Sequence, residues 1–192
     1  MKFWNDAAKW GLLIGIIMGA SRILEYGMML TGSVSNYALL TFEYVIVAVV
    51  YGVLLYQAVR CRAVEIYEKE GFLFGRSVNY ALIVSIFASV VVAAISYVYI
   101  NSVVGGYDIY LERLVASVTK VMDEVEVDAS IKSMYAESFN TLQSTQREVP
   151  SIFDTLISAM SMYIIAGTAV GVVVSLFVKR YIKKNFDNEQ AN

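Results

Sequence analysis

Histidine is absent from all 192 residues of the chain. Its absence removes the commonest catalytic base and the commonest transition-metal ligand. A single cysteine, Cys61, excludes an intramolecular disulfide. No CxxC, GxSxG, HExxH or phosphate-binding glycine motif occurs, so neither a metal, a cofactor nor an enzymatic activity is expected. Charge is scarce at 17%, against about 25% in a soluble domain. The formal net charge of −2 supplies no basic field for nucleic acid, which is not expected as a partner.

What the chain has in excess is apolar sequence: 58% of residues are hydrophobic, and the mean hydropathy is +0.59. The excess falls into four runs of about 20 residues or more, the length a helix needs to cross a hydrocarbon core. They lie at about 8–30, 37–59, 78–103 and 153–178. Each must be helical, because an open strand would leave backbone groups unpaired in lipid. A cleaved signal peptide is the rival reading of the first run, and a retained span is expected. Met18 stands where a cut after Ala20 needs a small residue, and the preceding charge is weak. These features predict an all-α polytopic membrane protein in which residues 1–192 form one four-helix transmembrane domain.

Lys/Arg bias sets the direction. With both termini in the cytoplasm, that side holds Lys2, Lys9, Arg60, Arg62, Lys69, Arg76 and the tail KRYIKK. The short loop TGSVSN carries no base, and the long loop carries Arg113, Lys120, Lys132 and Arg147. Trp4 and Trp10 suit an inner interfacial belt.

The long loop, about 104–152, is expected to be helical and extracytoplasmic. Leu111, Leu114, Val115, Val118, Met122 and Val125 repeat at helical spacing, and Ile131, Met134, Tyr135, Phe139 and Leu142 suggest a second amphipathic helix. The stretch DEVEVD lacks the glycine and ligand spacing of a calcium loop and reads as a solvated acidic turn. Pro150 suits the first turn of the fourth span. At the other membrane face, the second helix is expected to run to about Glu70, with Gly71 as a left-handed cap.

Small residues recur every fourth position: Gly11, Gly15 and Gly19; Ala81, Ser85, Ser89 and Ala93; Gly167, Gly171 and Ser175. In lipid such stripes let backbones approach closely. Either they pack one compact bundle, or one of them, first of all the triple-glycine stripe, faces a second subunit.

Arg22, Glu25 and Glu43 are the charges deep inside the spans. A charge near the bilayer centre costs about 2.5 kcal/mol or more, so it needs an interior position and a partner. With a rise of about 1.5 Å per residue, Arg22 lies roughly 13–15 Å below the outer end of its helix, too deep to snorkel. In an antiparallel hairpin Arg22 is nearly level with Glu43. The register therefore predicts an Arg22–Glu43 bridge with Glu25 nearer the outer surface. The cluster either fixes helix packing or is a functional polar site where a glutamate without a counter-ion carries a proton or holds a cation. Tyr26, Tyr44, Tyr51, Tyr97, Tyr99 and Tyr163 either line a polar path or serve in packing and at interfaces.

The segments AAKWGLLIGIIMG, EGFLFGRSVNYALIVSIFASVV and VGVVVSLFVKRYIKK give the chain a resemblance to a bacterial family of small four-helix integral membrane proteins known only as a domain of unknown function. The resemblance implies a multi-pass inner-membrane protein and brings no assigned activity. Such relatives often have a proline soon after the third span, where NSVVGGYD has none. Two functions stay open. One is a non-enzymatic structural or accessory subunit, as a homodimer or in a larger membrane assembly. The other is a small dimeric transporter or proton/cation conductor that uses Glu25 and Glu43.

Overall fold

A computed structural model describes residues 2–145 and 150–187 of the chain. Arg147 and the side chains of Lys69 and Leu142 lie outside the described residues. Among the described residues six α-helices carry the fold: α1 (Lys2–Met29), α2 (Val34–Glu70), α3 (Phe74–Val98), α4 (Tyr107–Glu124), α5 (Ala129–Thr145) and α6 (Ile152–Ile182). The four apolar runs become α1, α2, α3 and α6, each long and apolar enough to cross a membrane. The helices outrun the apolar windows, most of all α2, because the last turns before the loops are polar but still helical. α3 continues as a π-helical turn over Tyr99–Val104, which closes at Gly105 and Gly106 with φ of 103° and 121°. Glycine is what permits that backbone.

Two helix ends differ from expectation. α2 does stop at Glu70, and Gly71 donates its N–H to the Tyr67 carbonyl at 2.9 Å. Its φ of 68° comes with ψ of −176°, so the chain leaves extended rather than in a left-handed cap. Pro150 lies before α6, not in its first turn. Ser151 is the cap instead. Its hydroxyl accepts the Asp154 N–H at 3.2 Å, while the Asp154 carboxylate accepts the Ser151 N–H at 2.9 Å. This reciprocal box satisfies amides that a helix start leaves open.

α3 is the central helix. It packs most extensively on α1 and α6, and α2 lies across α1 and α6 while touching α3 least. Helical stripes explain the arrangement. Gly11, Gly15 and Gly19 meet Phe87, Val91 and Ile95, a ridge of every fourth residue on α3. A Cβ on Gly15 would stand 2.5 Å from the Val91 Cβ. Gly167 and Gly171 of α6 meet Ser85 and Ala81, and Ser175 is fully buried nearby. The triple-glycine stripe, expected first of all to face a second subunit if any stripe does, is instead used against α3. Every fourth position on α3 offers it a complementary ridge.

Side-chain contacts gather the start of α1, the end of α2, the start of α3 and the end of α6 at one pole. Lys2 pairs with Glu65, Arg60 donates to the Tyr181 hydroxyl at 3.0 Å, and the Phe3 and Tyr80 rings meet at 5.5 Å. This is the basic pole. At the opposite pole α4 covers the α1–α2 turn, where Ser117 donates its hydroxyl to the Met29 carbonyl. The apolar stripes of α4 and α5 partly face each other, with Val115, Val118 and Met122 opposite Tyr135 and Phe139. Two of the four acids between them have partners: Asp123 pairs with Lys132 at 2.7 Å, and Asp128 accepts the Ser130 N–H at 2.7 Å and its hydroxyl at 2.6 Å. Those two donors hold the Asp128 carboxyl below its ordinary range. Among the described residues no group of acids is placed to hold a metal ion.

Candidate functional site: a charged cluster between three spans

α1 and α2 are antiparallel neighbours joined by the turn at residues 30–33. Ser21 and Glu25 lie four residues apart, so they share the α1 face that meets α2. Arg22 is turned about 100° from Ser21 around the helix. This rotation decides the pairing. Ser21 donates its hydroxyl to Glu43 Oε1, and Tyr44 donates its hydroxyl to Glu25 Oε1 at 2.7 Å. Arg22 instead pairs with Glu25, Nη1 to Oε2 at 2.5 Å, and its Nη2 reaches the Met162 sulfur on α6 at 3.4 Å.

The expected Arg22–Glu43 bridge is therefore replaced by Arg22–Glu25. Depth along the hairpin follows from its register, and Glu43 does sit level with this part of α1. What depth does not give is the direction of each side chain around the axis, and Arg22 points toward α6. The role expected of Glu25 also moves. Glu25 is the buried, neutralised acid, with 7% of its surface exposed. Among the described residues Glu43 has no cationic partner, and its buried Oε2 has no hydrogen-bond partner.

Between α1, α2 and α6 these groups line a cavity of about 360 Å³. Its other walls are mostly apolar, with Met18, Val47, Ala48, Ala166 and Val170, and with Tyr44, Tyr51 and Tyr163. Tyr51 and Tyr163 meet edge to face at 5.8 Å, and the Tyr51 hydroxyl shares a hydrogen bond of 2.7 Å with Ser85 on α3. A second cavity of about 570 Å³ opens toward α4, lined by Tyr26, Tyr97, Tyr107, Tyr110 and Asp154. Arg22, Met162 and Tyr163 belong to the walls of both. The tyrosines singled out in sequence thus divide. Tyr44 and Tyr51 belong to the inner cavity, Tyr26 and Tyr97 to the larger one, and Tyr163 to both. Tyr99 stacks on Tyr26 at 6.0 Å.

Sequence reasoning missed Ser21, Met162 and the Ser85–Tyr51 bond. Ser21 carried a usable signal, a hydroxyl on the same helical face as Glu25. Met162 carried none, because its contact depends on how α6 sits beside α1.

No curated protein and no solved structure matches the chain. A family described as protein of unknown function (DUF4199) matches residues 9–180, a stretch that takes in nearly all of the four spanning helices. The chain belongs to this family.

Proposed function

We propose that the protein is a multi-pass inner-membrane protein that works as a structural or accessory subunit, without catalysis of its own. The observation that carries this reading is the lipid-side face of α2. Leu39, Phe42, Val45, Ile46, Val49 and Val53 are all exposed, and α2 is the least buried of the four spans. Because the small-residue stripes are taken up inside the chain, a contact with a second copy or another membrane protein falls to these large apolar side chains. The basic pole lies on the cytoplasmic side, supported by the gathering of Lys2, Arg60, Arg62, Lys179 and Arg180 at that end. α4 and α5 then lie outside. Native mass spectrometry of protein extracted from membrane in mild detergent tests the reading. A dimer or a stable co-purifying membrane protein is expected, and a lone monomer overturns it. A disulfide formed across copies by Ile46→Cys in a Cys61→Ser background would place α2 at the contact.

A second reading, a proton or cation conductor, is favoured by the unpaired Glu43 oxygen at the cavity. It requires flux in proteoliposomes that Glu43→Gln abolishes. Flux that persists in that variant, or no flux in the wild type, excludes it.

A further inference from the structure

We propose that the cavity between α1, α2 and α6 binds a lipophilic monovalent organic cation, an aryl or alkyl ammonium, with Glu43 as its counter-ion. The inference rests on the second reading in using the polar cluster for a ligand, but it concerns occupancy and not flux. Charge complementarity carries it. Arg22 is committed to Glu25 at 2.5 Å, and its other nitrogen lies against the Met162 sulfur, so one acid of the cluster is cancelled. Among the described residues Glu43 receives only the neutral Ser21 hydroxyl on one oxygen, and the other oxygen is buried without a partner. The cluster therefore keeps one negative charge inside a spanning region, where an uncompensated charge is costly. Either a proton or a cation relieves it.

The surroundings choose among cations. A hard inorganic ion such as calcium wants about six or more oxygen ligands. Here most of the wall is carbon, from Val47, Ala166 and Val170 among others. The rings of Tyr44, Tyr51 and Tyr163 supply electron-rich surfaces, which attract an ammonium with modest loss of its hydration. The volume of about 360 Å³ lies within the range of small-molecule pockets, roughly 300–1,000 Å³. An ammonium carrying an aromatic group satisfies the acid, the rings and the apolar wall together.

The test uses the full-length protein in non-ionic detergent and equilibrium dialysis with radiolabelled benzyltrimethylammonium. Saturable binding is expected. It should weaken at least tenfold in Glu43→Gln and in Val170→Trp, which fills the cavity from α6 and keeps the acid in place. Asp108→Asn, remote on α4, should leave it unchanged. Thermal unfolding of each variant checks that it is folded. The neutral isostere (2,2-dimethylpropyl)benzene should not compete. Absence of binding, binding indifferent to both cavity variants, equal competition by the isostere, or displacement by millimolar sodium or potassium overturns the proposal. Proton flux is recorded separately in liposomes. Loss of flux without loss of binding removes the conductor and keeps the site, and the reverse result removes the organic ligand alone.

Discussion

Glu25 holds two different groups at once, the Arg22 guanidinium on one oxygen and the Tyr44 hydroxyl on the other. Removing its charge leaves an arginine in a spanning helix without a counter-ion. Breaking a buried pair from one side costs about 3 kcal/mol or more, because the surviving charge keeps its desolvation cost. Glu25→Gln is thus expected to lower thermal stability in detergent by about that amount. Glu43→Gln breaks no ion pair and should be near neutral or stabilising. Equal losses in both variants would mean that Arg22 divides itself between the two acids. The register of the α1–α2 hairpin, and with it the meeting of Glu43 and α1, was legible from counting residues outward from the turn. The partner of Arg22 was not, because neighbouring residues on a helix differ by about 100° in direction and no hydropathy pattern records which side another helix occupies.

Among the elements, α1 is positioned by its glycines. At Gly15 an added methyl group would meet the Val91 Cβ at 2.5 Å and the Ala88 carbonyl oxygen at 2.9 Å, so the α3 backbone would have to retreat. Gly15→Ala should cost about 1–3 kcal/mol through overpacking. Gly27, in the same helix, has nothing within 4 Å of the corresponding position. Gly27→Ala should stabilise by up to about 1 kcal/mol, since alanine loses less backbone entropy on entering a helix. Denaturant titration of the two variants in micelles reads the opposite signs, and the same sign in both would refute the packing argument. The stripe itself was visible in sequence. Its destination was not, since spacing shows that a helix can be approached closely and leaves open by which neighbour. The α4–α5 pair was legible for a different reason: amphipathic spacing and an acidic turn bracket both helices. Asp128 caps the start of α5, and its carboxyl is depressed by the Ser130 donors. A depressed acid adds stability that is present above its ordinary value near 3.8 and is lost as pH falls through its lower folded value. Amide protection in α5, measured against the intrinsic exchange rate at each pH, should therefore fall on acidification below pH ~4, with Asp128→Ala already showing the lower protection at neutral pH. Protection that is flat with pH and unaltered by Asp128→Ala would leave the cap without a role.

For the molecule as a whole, the arrangement separates two kinds of surface along one axis. At one pole, aromatic and charged side chains link the helix ends: Arg60 lies over the Tyr181 ring at 4.2 Å, and Arg62 pairs with Glu65 at 2.9 Å. At the other, α4 seals the α1–α2 turn, and the larger tyrosine-lined cavity opens beneath it. The charge asymmetry between the poles favours the basic one in the cytoplasm, because short basic segments beside a span resist translocation. That orientation also puts the larger cavity on the outer side of Arg22, which with Tyr163 borders both cavities. Cysteine labelling reads it directly, since Cys61 is exposed at the basic pole and Glu137 is exposed on α5. In intact cells a membrane-impermeant maleimide should modify Glu137→Cys in a Cys61→Ser background. Native Cys61 should react only after the membrane is opened. The reverse pattern would turn the molecule over, place the acidic turn in the cytoplasm and make the larger cavity an inward-facing one. Labelling of both sites in intact cells would mean that the two poles do not lie on opposite sides of a bilayer.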